Sequence, residues 1–187
     1  MMPAPDSVAP REALPHVVRT VVDIAASPAR VFEALTEPAE LAAWWAGGDA
    51  HVSDCGADPR PGGAWHVRLV DGNGVERLVA GEYRVVDAPH RLEQSWQADD
   101  DAAPSVVRYD LEPREVGGTE GTRLTVTHSS PVALATATSA PGRASALAVH
   151  VARHPHAGPP RAVVVGRAPS ATLHLAPRRR ATWLVSA

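Results

Sequence analysis

Five segments between residues 62 and 128 alternate apolar and polar side chains, and this pattern constrains the fold more than any other feature of the chain. The segments are 62–71, 76–88, 91–97, 105–112 and 122–128. Successive side chains of a strand point to opposite faces of a sheet, so the pattern predicts five strands with one apolar face. That face collects Trp65, Val67, Leu69, Val79, Gly81, Tyr83, Val85, Leu92, Gln94, Trp96, Val107, Tyr109, Leu111, Leu124, Val126 and His128. The opposite face is charged, which is typical of an antiparallel sheet that is covered on one side.

The segment before these strands predicts one more strand and two short helices. Residues 16–26 are rich in β-branched side chains and read as a strand. Ser27 is a good helix N-cap and Pro28 suits the first helical position. A second helix follows over 38–45 and ends near Gly47. The chain therefore predicts an α+β fold, with two short helices after strand 1 and a curved antiparallel sheet.

The charges of the chain divide sharply at residue 131. All 21 Asp and Glu residues precede it, and with 11 Arg residues they give residues 1–130 a charge of −10. Residues 131–187 contain seven Arg and no acid, a charge of +7. We expect 16–130 to form the folded domain and 131–187 to be a basic tail rich in Ala, Pro and Arg. This tail is expected to be disordered or translated out of frame, with an optional helix near 143–153; a genuine basic tail is the alternative.

The remaining composition limits the class of protein. Residues 1–15 contain four prolines and no secretory signal pattern, so they predict a disordered leader. No run of 18 apolar residues predicts a membrane span. Cys55 is the single cysteine, which favours a cytoplasmic location. The complete lack of lysine indicates a GC-rich, bacterial coding sequence, and the net charge of −3 gives no reason to expect nucleic acid as a partner.

Several motifs occur in an order that resembles a known family. These are VVDIAASPARVFEALTEPAELAAWW at 21–45, PGGAW at 61–65, GEYRVVDAPHRL at 81–92, SW at 95–96 and GGTEGTRLTVTHS at 117–129. Together they resemble the activator of heat shock protein 90 ATPase-like family of the START-like (SRPBCC) superfamily, over residues 17–129. The resemblance implies a helix-grip fold, in which a bent antiparallel sheet wraps a long C-terminal helix around an apolar cavity. Here residues 129–149 read SSPVALATATSAPGRASALAV, so that helix is expected to be atypical or missing.

The apolar face also predicts a ligand pocket. Gln94 and His128 are polar residues on an otherwise apolar wall, as in cavities that orient a small molecule. The other candidates are aromatic: Trp65, Tyr83, Trp96 and Tyr109 on the wall, with Trp44 or Trp45 as a lid from the second helix. The alternative is that these aromatic side chains form an ordinary core.

Catalysis and metal binding have no positive support in the sequence. His128 lies at a strand end with no carboxylate or nucleophile at a recognisable spacing, so a structural histidine is the simpler interpretation. His150, His154 and His156 lack accompanying Cys or carboxylate residues, so no metal site is predicted, and no cofactor motif is present.

The sequence thus favours a non-enzymatic domain that binds a small hydrophobic molecule. Two alternatives stay open: co-chaperone-like protein binding, as the resemblance implies, and a cyclase- or dehydratase-like enzyme that uses His128 or Gln94 in the same cavity.

Overall fold

The computed structural model describes residues 16–99, 101, 103–132 and 140–154. This part of the chain contains seven strands and three helices. In chain order they are β1 (His16–Ile24), α1 (Pro28–Thr36), α2 (Pro38–Trp45), β2 (His51–Ala57), β3 (Ala64–Val70), β4 (Glu76–Asp87), β5 (Arg91–Ala98), β6 (Ser105–Val116), β7 (Thr119–Ser130) and α3 (Ala140–Arg153). The predicted leader at 1–15 and the tail beyond residue 154 lie outside the described residues.

The strands form one antiparallel sheet in the order β1-β7-β6-β5-β4-β3-β2. Strands β2 to β7 follow one another as a meander, and β1 joins the far edge beside β7. The predicted α+β class is confirmed. The outer face is charged as expected; Asp110, for example, accepts hydrogen bonds from Arg91 and Arg108 at 2.9 and 2.7 Å. Exposed ion pairs of this kind contribute little to stability.

Strand β2 was not predicted by the sequence pattern. It pairs with β3 at the edge of the sheet, and its register shifts between Val52 and Asp54. Because the shift interrupts the alternation and most of its residues are only partly buried, the segment carries no clear period of two. Its contacts with α2 complete the wall on that side of the sheet.

The prediction that Val85 belongs to the apolar face is wrong. Tyr83 pairs with Gln94, but Val85 pairs with Glu93, so the register of β4 shifts by one residue between them. Such a bulge turns the following side chains to the opposite face. Val85 is consequently 38% exposed, and Val86 packs against the core in its place.

Both short helices begin where the sequence predicts. The Ser27 side chain accepts a hydrogen bond from the Arg30 backbone N–H, and Pro28 opens α1. Val31 and Leu35 are buried on one face of this helix. Trp44 in α2 donates its indole N–H to the Ala34 carbonyl at 2.8 Å, which fixes α2 against α1.

Helix α3 covers the inner face of the sheet. Ala144, Leu147 and Val151 are buried and recur at intervals of three and four residues, which is the spacing of one helical face. The helix contacts β1, β7, α1 and α2. Its first turn contains no acid. The C-terminal helix of the predicted fold is therefore present but atypical, at the position of the optional helix.

Glu40 of α2 connects α1 and α3 electrostatically. Its Oε2 accepts hydrogen bonds from Arg30 Nη2 at 2.6 Å and from His150 Nε2 at 2.7 Å. Arg30 Nε also donates to the His154 carbonyl at 2.9 Å, at the end of α3. Burial alone raises the pKa of Glu40, but the hydrogen bonds from His150 and Arg30 outweigh it and hold the pKa below its usual range.

Gly81 of β4 leaves the space through which the indole of Trp65 reaches Ser95. The indole N–H donates to the Ser95 carbonyl at 3.2 Å, and a Cβ on Gly81 lies 2.7 Å from the same indole nitrogen and against the Ser95 backbone. We expect Gly81→Ala to lower the free energy of unfolding in urea by about 1–3 kcal/mol, the usual cost of overpacking. Gly47→Ala is the control, because no atom lies within 4 Å of the added methyl group. Equal stability of the two variants would contradict this role of Gly81.

Candidate functional site

Four indole rings form one cluster on the inner face of the sheet. Trp45 of α2 lies at its centre, with ring centroids 5.2 Å from Trp44, 5.6 Å from Trp65 of β3 and 5.2 Å from Trp96 of β5. Trp45 and Trp96 are stacked at an interplanar angle of 19°. Two strands and a helix thus bring together residues that are distant in the sequence.

His128 extends this cluster from β7. Its ring lies 5.6 Å from that of Trp96, and its Nε2 is 2.7 Å from Ser105 Oγ, which also donates to the Trp96 carbonyl at 3.1 Å. Burial lowers the pKa of His128 to about 4, with a smaller opposing effect of Asp101. The imidazole is therefore neutral at physiological pH.

All eight residues predicted for the pocket are buried: Trp44, Trp45, Trp65, Tyr83, Gln94, Trp96, Tyr109 and His128. Tyr109 lines the cleft beneath α3 together with Trp44, Trp45 and Trp96. Tyr83 and Gln94 pair across β4 and β5 on the same face. Burial raises the pKa of both tyrosine hydroxyls, so they are neutral donors. The role of these residues in binding stays a prediction.

The cleft between α3 and the aromatic cluster is closed. Its α3 side consists of Arg143, Ala144 and Leu147. The space between these side chains and the rings is too small for a water molecule. A ligand therefore finds no preformed space here and must displace the side chains that line the cleft.

Arg143 is a cleft residue that the sequence interpretation missed. Its guanidinium carbon lies 5.2 Å from the centroid of the Trp45 ring, and its Nη1 donates to the Trp45 carbonyl. Burial lowers the pKa of Arg143, and nearby Tyr109 opposes this. One sequence feature could have identified it: Arg143 directly precedes Ala144 in the RASALAV segment of the optional helix.

Two donors in this cleft are buried and have no hydrogen-bond partner among the described residues. They are Arg143 Nε and the indole Nε1 of Trp45. Trp44 and Trp65 differ, since their indole N–H groups donate to backbone carbonyls. Unpaired buried donors are rare in folded proteins and each costs free energy.

Other chemistry finds little support in the described part of the chain. No group of three potential metal ligands occurs there; His150 and His154 lie with ring centroids 5.0 Å apart, and His156 is outside it. Burial raises the pKa of the Cys55 thiol to about 12, so it is not a nucleophile at neutral pH. None of the helices described is long and apolar enough to cross a membrane.

Comparison with protein families gives one match that spans most of the fold. The family described as "Activator of Hsp90 ATPase homolog 1-like protein" matches residues 25–150, from the end of β1 into α3. No curated protein matches the sequence.

Solved structures resemble this chain over nearly their whole length. A protein from Rhodobacter sphaeroides is 27% identical with a TM-score of 0.61, and the match covers 79% of this chain and 97% of that one. The AHSA1 protein from Silicibacter pomeroyi is 25% identical with a TM-score of 0.55, covering 74% and 96%. A protein from Chromobacterium violaceum, 20% identical, covers 73% and 96% with a TM-score of 0.62. The predicted helix-grip fold is confirmed.

The low pKa of His128 predicts a specific dependence of stability on pH. Unfolded, this side chain titrates near 6.5; folded, it titrates near 4. Between these values the unfolded chain binds more protons, so the free energy of unfolding falls as the pH falls from 6.5 to 4, by up to about 1.4 kcal/mol per pH unit. We expect His128→Gln to remove this part of the slope in urea unfolding at several pH values. His90→Gln changes an exposed histidine and is expected to keep the slope of the wild type. If the free energy of unfolding falls equally with pH in both variants, the assignment of the slope to His128 is contradicted.

Proposed function

The chain belongs to the activator of Hsp90 ATPase homolog 1-like family, and from this premise we propose that it is a binding protein that holds a small apolar molecule between its sheet and α3. The single observation that carries the proposal is the indole cluster beneath α3. It gathers four of the five tryptophans of the chain, and three of them, Trp44, Trp45 and Trp96, line one cleft. Aromatic walls with a few polar groups are typical of small-molecule sites.

The polar residues of the wall support a binding role. Gln94 and His128 are both buried on this face, and the neutral imidazole of His128 is held by Ser105. Fixed polar groups on an apolar wall orient a ligand, whereas a plain core gains nothing from them. We assign to the ligand the four candidates that line the cleft, Trp44, Trp45, Trp96 and Tyr109, and we propose that it reaches Trp65, Tyr83, Gln94 and His128 when α3 moves.

Helix α3 acts in this proposal as the movable cover of the site. It buries Ala144, Leu147 and Val151 against the inner face, and two of these are among the smaller side chains. A ligand that enters beneath the helix replaces these contacts with its own apolar surface. The closed cleft then corresponds to the unliganded state.

We propose binding without catalysis. The Ser105 hydroxyl donates its proton to the Trp96 carbonyl and therefore accepts from His128 Nε2, so the two residues do not form a nucleophile and its general base. The low pKa of His128 also leaves little of the protonated form that a general acid needs at neutral pH. The single cysteine fits a reducing compartment, and we place the protein in the cytoplasm.

Protein binding is the second candidate function. The family description favours a chaperone of the Hsp90 type as the partner. The closed cleft favours it too, since a protein partner needs a surface and no preformed cavity.

Filling the cleft from α3 is expected to weaken binding of a neutral apolar probe. N-phenyl-1-naphthylamine serves as the probe, with energy transfer from tryptophan as the signal. We expect saturable binding to the wild type and an affinity about tenfold lower for Ala144→Leu, because Ala144 lines the cleft and its added carbons occupy ligand volume.

Ala146→Leu is the matched control for that variant. Ala146 is exposed on the same helix, so the same substitution is expected to leave the affinity unchanged. Thermal unfolding of both variants checks that they are folded at the temperature of the titration. An equal affinity for both folded variants, or no saturable binding to the wild type, would overturn the cleft as the ligand site.

The co-chaperone alternative has its own measurement. If the chain acts on an Hsp90-type chaperone, adding it is expected to raise the ATPase rate of that chaperone in a saturable way. If the chain is only a small-molecule carrier, the rate stays at its basal value at every concentration of the protein.

A further inference from the structure

We infer that the molecule held in the cleft carries a carboxylate, which Arg143 and the indole N–H of Trp45 bind while its apolar body lies among the rings. This inference rests on the proposed function and names its ligand class: a small apolar or aromatic carboxylic acid. Three observations support it. They concern the guanidinium of Arg143, the indole N–H of Trp45 and the lack of a counter-ion for Arg143 among the described residues.

The first observation is the position of the guanidinium. Arg143 lies over the Trp45 ring and lines a cleft whose other members are mostly aromatic or aliphatic. It donates Nη1 to the Trp45 carbonyl, but its Nε is buried without a partner among the described residues. A guanidinium presents its N–H groups as a planar fork that matches a carboxylate with two parallel hydrogen bonds. Arg143 thus brings a group that can bind a carboxylate into a largely apolar cleft, where its Nε–H donor is unpaired among the described residues.

The second observation is the indole of Trp45. Its side chain is 2% exposed, and its Nε1–H finds no acceptor within the part of the chain that the structure describes. An indole N–H can only donate, so only an acceptor atom can satisfy it. Both unpaired donors belong to residues that line the same cleft, and both require the same kind of ligand atom.

The third observation is that the residues around Arg143 supply no counter-ion. No Asp or Glu is among the described residues that line the cleft. Glu40, the carboxylate of α2, is already engaged by Arg30 and His150. The segment that contains α3 has no acid at all, because every Asp and Glu of the chain precedes residue 131. A buried cation without a paired charge is unfavourable, and an anionic ligand removes that cost.

The apolar part of the ligand is accommodated by the same lining. Trp44, Trp96 and Leu147 line the cleft together with Arg143. Once α3 has moved, a flat ring or a short acyl chain fits between such surfaces, in contact with the face of an indole. The cleft therefore has one charged part and one apolar part, which match the carboxylate and the ring of an aromatic carboxylic acid.

The test compares two probes that differ in charge and little in shape. Isothermal titration of the full chain with 2-naphthoate and with 2-naphthamide, at neutral pH, measures the preference for the carboxylate. We expect the wild type to bind 2-naphthoate at least about tenfold more tightly, the usual advantage of a charged hydrogen-bond partner. Arg143→Gln is expected to abolish that preference by weakening the binding of 2-naphthoate, and thermal unfolding followed by circular dichroism checks that the variant is folded.

Arg153→Gln is the matched control, since it removes the same charge from an exposed position of α3. It is expected to keep the preference for 2-naphthoate. Equal affinities of the wild type for both probes would overturn the carboxylate inference and leave the proposed apolar site intact. A preference that is lost equally in both variants would also overturn it, because general electrostatic attraction then explains the binding. Failure of both probes to bind the wild type would overturn the proposed function together with this inference.

Discussion

The inner face of the bent sheet must be covered, and the rest of the structure depends on this constraint. Sixteen positions were predicted for that face, and nearly all of them are buried under α1, α2 and α3. Each buried Leu, Val or aromatic side chain contributes about 1.5–3 kcal/mol, far more than the exposed ion pairs of the outer face. Trp45 shows how the cover works, because its ring lies against indoles from the sheet and beneath the guanidinium of Arg143 in the first turn of α3. Loss of α3 from this face would expose to water the aromatic rings that line the cleft.

The charge boundary at residue 131 does not coincide with the end of the packed structure. Helix α3 lies beyond it and still buries Leu147 and Val151 in the core. A helix without acids can dock here because the body supplies the carboxylate: Glu40, with a lowered pKa, accepts from His150 at one end and from Arg30 of α1. The basic segment and the acidic body thus meet at a hydrogen bond to the Glu40 carboxylate. The prediction for residues 155–187 concerns a part of the chain that the structure does not describe.

Local patterns predicted most of the fold, because they act over a few residues. Alternation identified β3 to β7, and Ser27 with Pro28 located the start of α1. Strand β2 and the position of Val85 were missed, since a register shift breaks the period of two in both strands. The aromatic residues of the candidate site followed from the same alternation. Arg143 did not, because its contact with Trp45 spans 98 positions and depends on how α3 crosses the sheet. Sequence patterns report which face a residue occupies, whereas contacts between distant elements are decided by packing.

Unpaired donors distinguish the cleft from an ordinary core more sharply than its volume does. A third buried nitrogen, Arg30 Nη1, also lacks a hydrogen bond among the described residues. The charge of Arg30 is nevertheless compensated, because its Nη2 lies 2.6 Å from Glu40 and Glu33 is 3.8 Å from Nη1. Within the described part of the chain Arg143 has no such compensation, and it contacts an aromatic ring and a carbonyl instead. A core that served stability alone would place an apolar side chain at this position, since a buried cation without a counter-ion costs more than it gains. The placement of Arg143 is consistent with a site whose remaining partner arrives with the ligand.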